Sequence, residues 1–411
     1  MKNIEEIAET IKQNGGRLYL VGGAIRDRML GLPEQDEDYC VTGISIEKFK
    51  KIFKNAKIQG KDFPVFIIGN NEFALARRES KCGKGHSEFK VDANTNISIT
   101  EDLGRRDITI NSIAQDVLTK EIIDPYKGIN DLRKGVIRKT SDAFKEDPLR
   151  AYRVARFAAN FEFEIEKETF KDMQFLKNEL IYLPKERVYQ EFKKSLETKK
   201  PSFFFEVLRK ADLLSIHFRE IYDLIDNSQL ENKVGKLDYY YTMNAIDKAT
   251  QLTDKLEYRF SVLTCKLENE ELIEELGSRL GVPKKWIKAA KVANKWYKKA
   301  VKFKNISPTE KIEMIESVEK SILGLEGLKI IVTCFQNKKT EEILDTYNQI
   351  VFDIIGKDCL KQINGCLIVK ECPNFKGKEI YKEIHKRRMN WIKLIDTNNY
   401  IKYNKKKEKN R

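Results

Sequence analysis

The sequence predicts an α+β fold, with a sheet-built domain over residues 1–139 and an all-helical remainder from residue 140 onward. Three observations predict it. Leu18 to Gly43 reads as strand, Gly-Gly turn, helix and strand, and Phe63 to Arg77 reads as two strands about a Gly-Asn-Asn-Glu turn. From Glu162 to the end, apolar residues recur at three- and four-residue spacing with few strand signals.

Residues 1–16 form an amphipathic helix leading into a short buried strand, Leu18 to Val21. Gly22 and Gly23 make a tight turn, Ala24 to Leu30 a helix closed by Gly31 and Pro33, and the chain re-enters a strand at Asp36. Side chains alternate along a strand, so Asp36 and Asp38 point one way while Glu37 and Tyr39 point the other. Two like charges that close would raise one another's pKa, and the pair is therefore read as holding a divalent cation. A phosphate site is expected beside it. The glycines let backbone approach a ligand, the following helix offers free N–H groups, and Arg26 lies one turn in. Taken singly, the Gly-Gly is also a plain turn and the D-x-D a solvated strand end; metal beside phosphate points to nucleotide chemistry.

A helix from Ser45 to Asn55 precedes the strands Phe63 to Gly69 and Glu72 to Arg77. Glu79 to Thr100 is polar and shows no sustained periodicity, which predicts a mobile loop; His86 within it is given no role. Asp107 is placed to cap a helix with Ile108, Ile113, Ala114 and Val117 on its apolar face, leaving Arg105 and Arg106 at its mouth. Paired arginines there suit a triphosphate, or else form a surface salt-bridge pair. Asp124-Pro125 and Gly128 make turns before a last strand over Asp131 to Thr140. Asp147 and Pro148 then open a helix on which Asp147, Arg150 and Arg153 recur every three residues, beside the apolar Val154, Phe157 and Ala158. One carboxylate and two guanidinium groups on a face can template base edges; the alternative is an N-cap carboxylate neutralised by nearby arginines. Further on, Lys284 to Asn305 interleaves Trp286, Trp296 and Tyr297 with lysines and reads as a helix with one buried and one basic face. Lys376 to Lys393 repeats the style, and Lys405 to Arg411 is expected to be disordered.

Composition narrows the classes. Lys and Arg total 77 against 63 Asp and Glu, a net +14 over 411 residues, which favours a polyanionic partner such as nucleic acid. No apolar run approaches the ~20 residues of a membrane span, and the N-terminus is a charged helix start rather than a signal peptide, so a cytoplasmic protein with no membrane partner is expected. Seven cysteines without a C-x-x-C pair, and only three histidines, argue against zinc and for reduced thiols.

Taken together, LVGGAIRDRMLGLPEQDED, GRRDITINSIAQD, IIDPYKGINDLRKGVIR and FKEDPLRAYRVARFAANF resemble, in order and spacing, the class II tRNA nucleotidyltransferases (CCA-adding enzymes) and the related bacterial poly(A) polymerases. PKERVYQEFKKSLETKKPSFFFEVLRKADLL is similar to the helical neck of the proteobacterial type. The resemblance implies a seahorse-shaped protein. Its parts would be a polymerase β-like nucleotidyltransferase head (1–139), a neck with the base template (140–200), a body (201–305) and a tRNA-binding tail (306–411). It implies that Asp36 and Asp38 hold Mg2+, that Gly23 and Arg26 contact the triphosphate, and that Arg106 and Asp107 handle phosphate and ribose. Asp147, Arg150 and Arg153 would select the base. The implied activity is addition of CCA to the tRNA 3′ end from CTP and ATP, with no required protein partner; poly(A) polymerase, partial CC- or A-adding and inactive RNA-binding readings stay open beside it. The stretch Glu79 to Thr100 would be the lever that switches C to A addition. In HD-bearing relatives a His-Asp metal pair falls within the stretch matching RFSVLTCKLENEEL. Here Cys265 and Lys266 stand instead, which predicts a body without hydrolase chemistry.

Overall fold

The computed structural model describes residues 3–33, 37–60, 64–81, 89–92, 95–226, 234–336 and 359–409. Within it the chain divides into two units, Met1–His217 and Phe218–Arg411.

The first unit carries the sheet. Its strands in chain order are β1 (Arg17–Val21), β2 (Asp38–Thr42), β3 (Lys57–Gln59), β4 (Val65–Ile68), β5 (Asn71–Leu75), β6 (Arg78–Lys81), β7 (Phe89–Asp92), β8 (Ala114–Asp116), β9 (Ile122–Ile123), β10 (Val136–Ile137) and β11 (Glu164–Ile165). Seven of them form one mixed sheet in the order β3-β4-β5-β2-β1-β8-β9, parallel only where β2 meets β5. Period-two alternation gives it two apolar faces. Leu18, Leu20, Tyr39, Val41 and Phe73 pack under helices α1 (Ile4–Gln13), α2 (Gly23–Met29) and α3 (Ile46–Ile52), with Phe49 fully buried among them. Tyr19, Val21, Cys40 and Ala114 pack on the other side with Ile99 and Leu103 of α4 (Ile99–Gly104).

The strand–turn–helix–hairpin core stands as expected, and four details are corrected. β2 starts at Asp38, two residues later than predicted, and Asp36 lies outside the described residues. The supposed loop from Glu79 to Thr100 holds the β6–β7 ribbon and the first turn of α4; His86 lies outside the described residues. The ribbon's strands, RESK and FKVD, are four residues each, too short for an alternation to stand out from the polar stretch around them. No helix follows Asp107: a single 3-10 turn, Thr109–Asn111, leads straight into β8. Ile113, just before β8, and Ala114, its first residue, matched a helical stripe because the two are buried on opposite sides of the sheet, one in each core. Arg105 and Arg106 therefore follow the C-terminus of α4, with Arg105 as its cap. Lastly, the strand predicted over Asp131 to Thr140 is mainly helix α5 (Gly128–Lys134), ended by Gly135 in the left-handed conformation, with only β10 paired parallel to β11.

α6 (Leu149–Phe161) is the axis of the helical part of this unit, joined by α7 (Lys167–Phe175), α8 (Lys185–Glu197), α9 (Pro201–Lys210) and α10 (Leu214–His217). Its buried Tyr152 packs by Phe204 of α9 and bonds Nδ1 of His217 at 2.7 Å.

The second unit is helical throughout its described residues. It comprises α11 (Arg219–Asp226), α12 (Val234–Leu252), α13 (Leu256–Thr264), α14 (Glu270–Leu280), α15 (Lys284–Val301), α16 (Pro308–Glu319) and α17 (Gly324–Cys334), followed by shorter pieces and a helix over Lys378–Lys409. α15 buries Trp286, Ile287, Ala293, Trp296 and Tyr297 and exposes Lys284, Lys288, Lys295 and Lys299, as its spacing predicts. The last helix runs through Lys405 to Lys409, where disorder was expected, because no Gly or Pro interrupts it after Gly377 and Lys and Glu are good helix formers.

Candidate active site

The register of β1 against β2 builds the site. Val21, the last residue of β1, pairs with Asp38, the first of β2, so the exposed Asp38 stands opposite the residue that precedes the Gly22-Gly23 turn. Tyr39 donates to Glu37 at 2.5 Å, which fixes those two on one side and leaves Asp38 on the Val21 and Cys40 face, the face of α4. Gly22 adopts φ +77°, a conformation that favours glycine, and a Cβ there would lie 2.9 Å from the Arg106 guanidinium. Carboxylate, glycine turn and Arg106 thus meet at one end of the sheet.

Asp102 of α4 holds the paired arginines. It is buried, and burial would raise its pKa; Arg105 at 2.7 Å and Arg106 at 3.3 Å outweigh that and hold it below the ordinary carboxylate value. The Arg106 Nε is buried with no hydrogen-bond partner among the described residues. A donor in that condition suits an anionic ligand.

Arg26 is buried rather than open. It donates to both carboxylate oxygens of Asp27 at 2.8 and 2.9 Å and to Asn111, and its guanidinium lies 5.4 Å from the centre of the Phe157 ring. Gly23 sits against its tip: a Cβ there would lie 3.3 Å from Nη2. Asn111 in turn donates to Asp107 at 3.1 Å, and Asp107 accepts from the Ile108 N–H at 2.9 Å and from Arg153 at 2.7 Å. Burial pushes the Asp107 pKa up, but Arg153, Asn111 and Arg150 pull it far below the usual range. Asp107 is therefore an ionised, fully engaged anchor.

On α6 the three predicted base-facing residues diverge in their partners. Asp147 accepts the Leu149 N–H at 3.1 Å, as a cap should, and takes a two-pronged pair from Arg187 of α8 at 2.8 and 3.1 Å. Arg150 donates to the carbonyls of Ala143 at 2.8 Å and Arg105 at 2.6 Å, tying α6 to the end of α4. Arg153 joins Asp107 and approaches Glu191 of α8, which also accepts from Arg156 at 2.5 Å. Arg187, Glu191, Asn111 and Asp102 were missed from sequence. The available signal was Arg187 and Glu191 one turn apart, with Glu191 facing the buried side of an amphipathic helix.

A multifunctional CCA protein of Haemophilus ducreyi is 32% identical over 415 residues, covering 92% of this chain and 99% of its own. The chain belongs to the class II CCA-adding enzyme family, the tRNA nucleotidyltransferases. Within the family, the CCA-adding enzyme of Blochmanniella pennsylvanica is 44% identical over 251 residues, 60% of this chain and 61% of that protein. The family profile described as "Poly A polymerase head domain" matches residues 18–138, and one described as "Probable RNA and SrmB- binding site of polymerase A" matches 162–224. Among solved structures, the Bacillus stearothermophilus CCA-adding enzyme in complex with CTP aligns at TM-score 0.67 and 19% identity over the whole of both chains. The Thermotoga maritima CCA-adding enzyme complexed with tRNA aligns at 0.65 and 19%, covering 93% of this chain and 88% of that one. These likenesses show the CCA-adding enzyme fold.

Nucleotidyltransferases of this family use divalent metal ions. Asp38 suits such an ion by the chemistry of its donor: it is an exposed carboxylate, a hard oxygen ligand, at the start of β2. In the second unit Cys265 is buried with its thiol pKa pushed up by burial, and Lys266 pairs with Asp238 at 3.0 Å and stacks near Tyr297. No helix among the described residues is long and apolar enough to cross a membrane.

Proposed function

We propose that this chain adds C, C and A to the 3′ end of tRNA, using CTP and ATP and without a nucleic-acid template, in a cytoplasmic setting. The observation that carries the reading is the β1–β2 register, which sets Asp38 across from Val21 beside the Gly22 turn and Arg106. Asp36 and Asp38 would hold Mg2+, which when bound supplies Lewis-acid stabilisation of the developing phosphoryl charge. In the reaction the tRNA 3′ oxygen bonds to the α-phosphorus as the bond to the β-phosphate breaks and pyrophosphate leaves.

The chain's own groups do the rest. Arg106, with its unpaired Nε, grips the triphosphate, and the Gly22-Gly23 backbone lies close against it. Arg26 supports Gly23 and the triphosphate arm from its buried pair with Asp27. Asp107 fixes Arg153, and Asp147 and Arg150 present acceptor and donor to the base, a combination that suits C and A and mismatches U and G. The division into head (1–139), neck (140–200), body (201–305) and tail (306–411) belongs to the same proposal, with the exposed lysines of α15 on the tRNA backbone.

The test is incorporation of each labelled nucleotide, alone and in combination, into tRNA lacking three, two or one terminal residues. We expect CCA, CA and A respectively, then arrest. Long A tails would mark a poly(A) polymerase, and absence of A on a CC end a CC-adding enzyme. Asp38→Ala should abolish transfer while tRNA binding persists; retained turnover would remove Asp38 from the metal site.

A further inference from the structure

Phe157 of α6 has three guanidinium groups around one ring. Arg156 lies 4.1 Å from its centroid, Arg26 5.4 Å and Arg153 5.5 Å, and the ring itself is only 5% exposed. A second ring, Phe161, runs parallel to it one turn on at 6.1 Å and also receives Arg26, at 4.9 Å. Each cation has its own carboxylate: Asp27 for Arg26, Asp107 for Arg153, Glu191 for Arg156. The charges balance in number, but Arg156 still presses on Arg26. Burial lowers the Arg26 pKa, Asp27 partly restores it, and Arg156 adds to the lowering. An aromatic ring carries electron density on its faces and attracts cations there, most strongly where water is excluded. An aliphatic side chain of like size would fill the space and leave the crowding uncompensated.

We propose that Phe157 is a positioning residue for nucleotide selection: its π-face spaces Arg26, from the triphosphate side, against Arg153, from the base-selecting helix. Ring and arginines form one closed circuit. Arg26 reaches Asp107 through Asn111, Asp107 takes Arg153, and both arginines return to Phe157. A shift of the guanidinium group at the triphosphate side is thereby felt at the base-facing side. Phe157 touches neither substrate nor metal in this scheme; it acts through the arginines. The inference rests on the function proposed above.

The test replaces Phe157 in the full-length protein with mono-, di-, tri- and pentafluorophenylalanine, which withdraw the facial electron density in steps while nearly keeping the ring's shape. Equilibrium binding of CTP, ATP and UTP is measured for each, beside kcat and KM for CTP addition and the melting temperature. We expect CTP affinity to fall stepwise, reaching about tenfold with the pentafluoro ring, and the CTP-to-UTP preference to fall in the same order. The KM for tRNA should stay constant. Phe157→Leu should resemble the pentafluoro protein, and Phe157→Tyr should rescue it. Binding that ignores fluorination, or Leu and Tyr variants equally impaired at matched melting temperature, would overturn the inference. Failure of transfer with CTP binding still graded by fluorination would instead overturn the functional reading and leave the positioning role standing.

Discussion

Asp107 joins stability to the site through a single carboxylate. Its folded pKa lies below the unfolded value, so the stability it contributes is fully present above about pH 4 and is lost as pH falls through the folded pKa. Asp107→Asn should therefore cost about 3 kcal/mol at neutral pH, by leaving Arg153 with Glu191 alone, and the difference from wild type should shrink in denaturation measured between pH 4 and 2. An unchanging difference would mean that the pair is not ionised in the folded state. Gly128 is constrained by close approach instead: a Cβ there would run into the Thr109 carbonyl, and Thr109 is pinned by its N–H to Arg138 and its hydroxyl to Asp131 at 2.8 Å. Gly128→Ala should cost about 1–3 kcal/mol in urea unfolding, because none of those neighbours can give way freely. From sequence this glycine was visible only as a turn residue. The close approach depends on Thr109, nineteen positions earlier, and no local pattern encodes it.

Among the elements, those read correctly were those whose own period matched their burial. α15 buries one side and shows it in the spacing of its apolar residues, while β1, buried on both faces, shows it as the unbroken apolar run Leu18 to Val21. β8 was lost because Ile113 and Ala114, adjacent in sequence and packed in opposite cores, fall on the stripe a helix would show, and the β6–β7 ribbon because each of its strands is only four residues long. In the site, Asp38, Gly22 and Arg106 were legible because the chain supplies them in short motifs. The clamp of Arg187 on Asp147 was not, because it spans forty residues and links two helices. α8 carries a prediction at this scale. Arg187→Ala leaves the Asp147 carboxylate with its helix-cap bond alone, so CTP and ATP should lose preference over UTP while Mg2+ dependence is unchanged. Unaltered discrimination would show that Asp147 needs no second helix to hold it. α15 gives another: Lys284, Lys288 and Lys295 stand exposed along it, and changing all three to Gln should lower the salt dependence of tRNA binding by about two in the log–log slope without moving the melting temperature.

For the whole molecule, the net charge of +14 sets how the two kinds of substrate respond to salt. tRNA is held through many phosphates and CTP through a few. Raising salt from about 50 to about 200 mM should thus raise the KM for tRNA at least about tenfold while moving that for CTP far less. Equal sensitivity would mean that the lysine-rich surface takes no part in binding. Composition made this much visible before any fold was known. It did not foretell that the charge-bearing last helix continues to Lys409, since a lysine run is equally at home in a helix or a coil.

The Asp147 carboxylate has a saturation limit of its own. Three N–H groups already point at it: the main chain of Leu149 and both prongs of Arg187. A carboxylate offers about four lone-pair positions, so among the described residues a single one stays open, on Oδ2. On the function proposed above, an exocyclic amine from cytosine or adenine would enter that position without dismantling the support around it, and would gain one charge-assisted bond of about 1.5–3 kcal/mol. Neither base would then be gripped hard. A reader with one socket can change letters quickly, because what it has just read is never difficult to release.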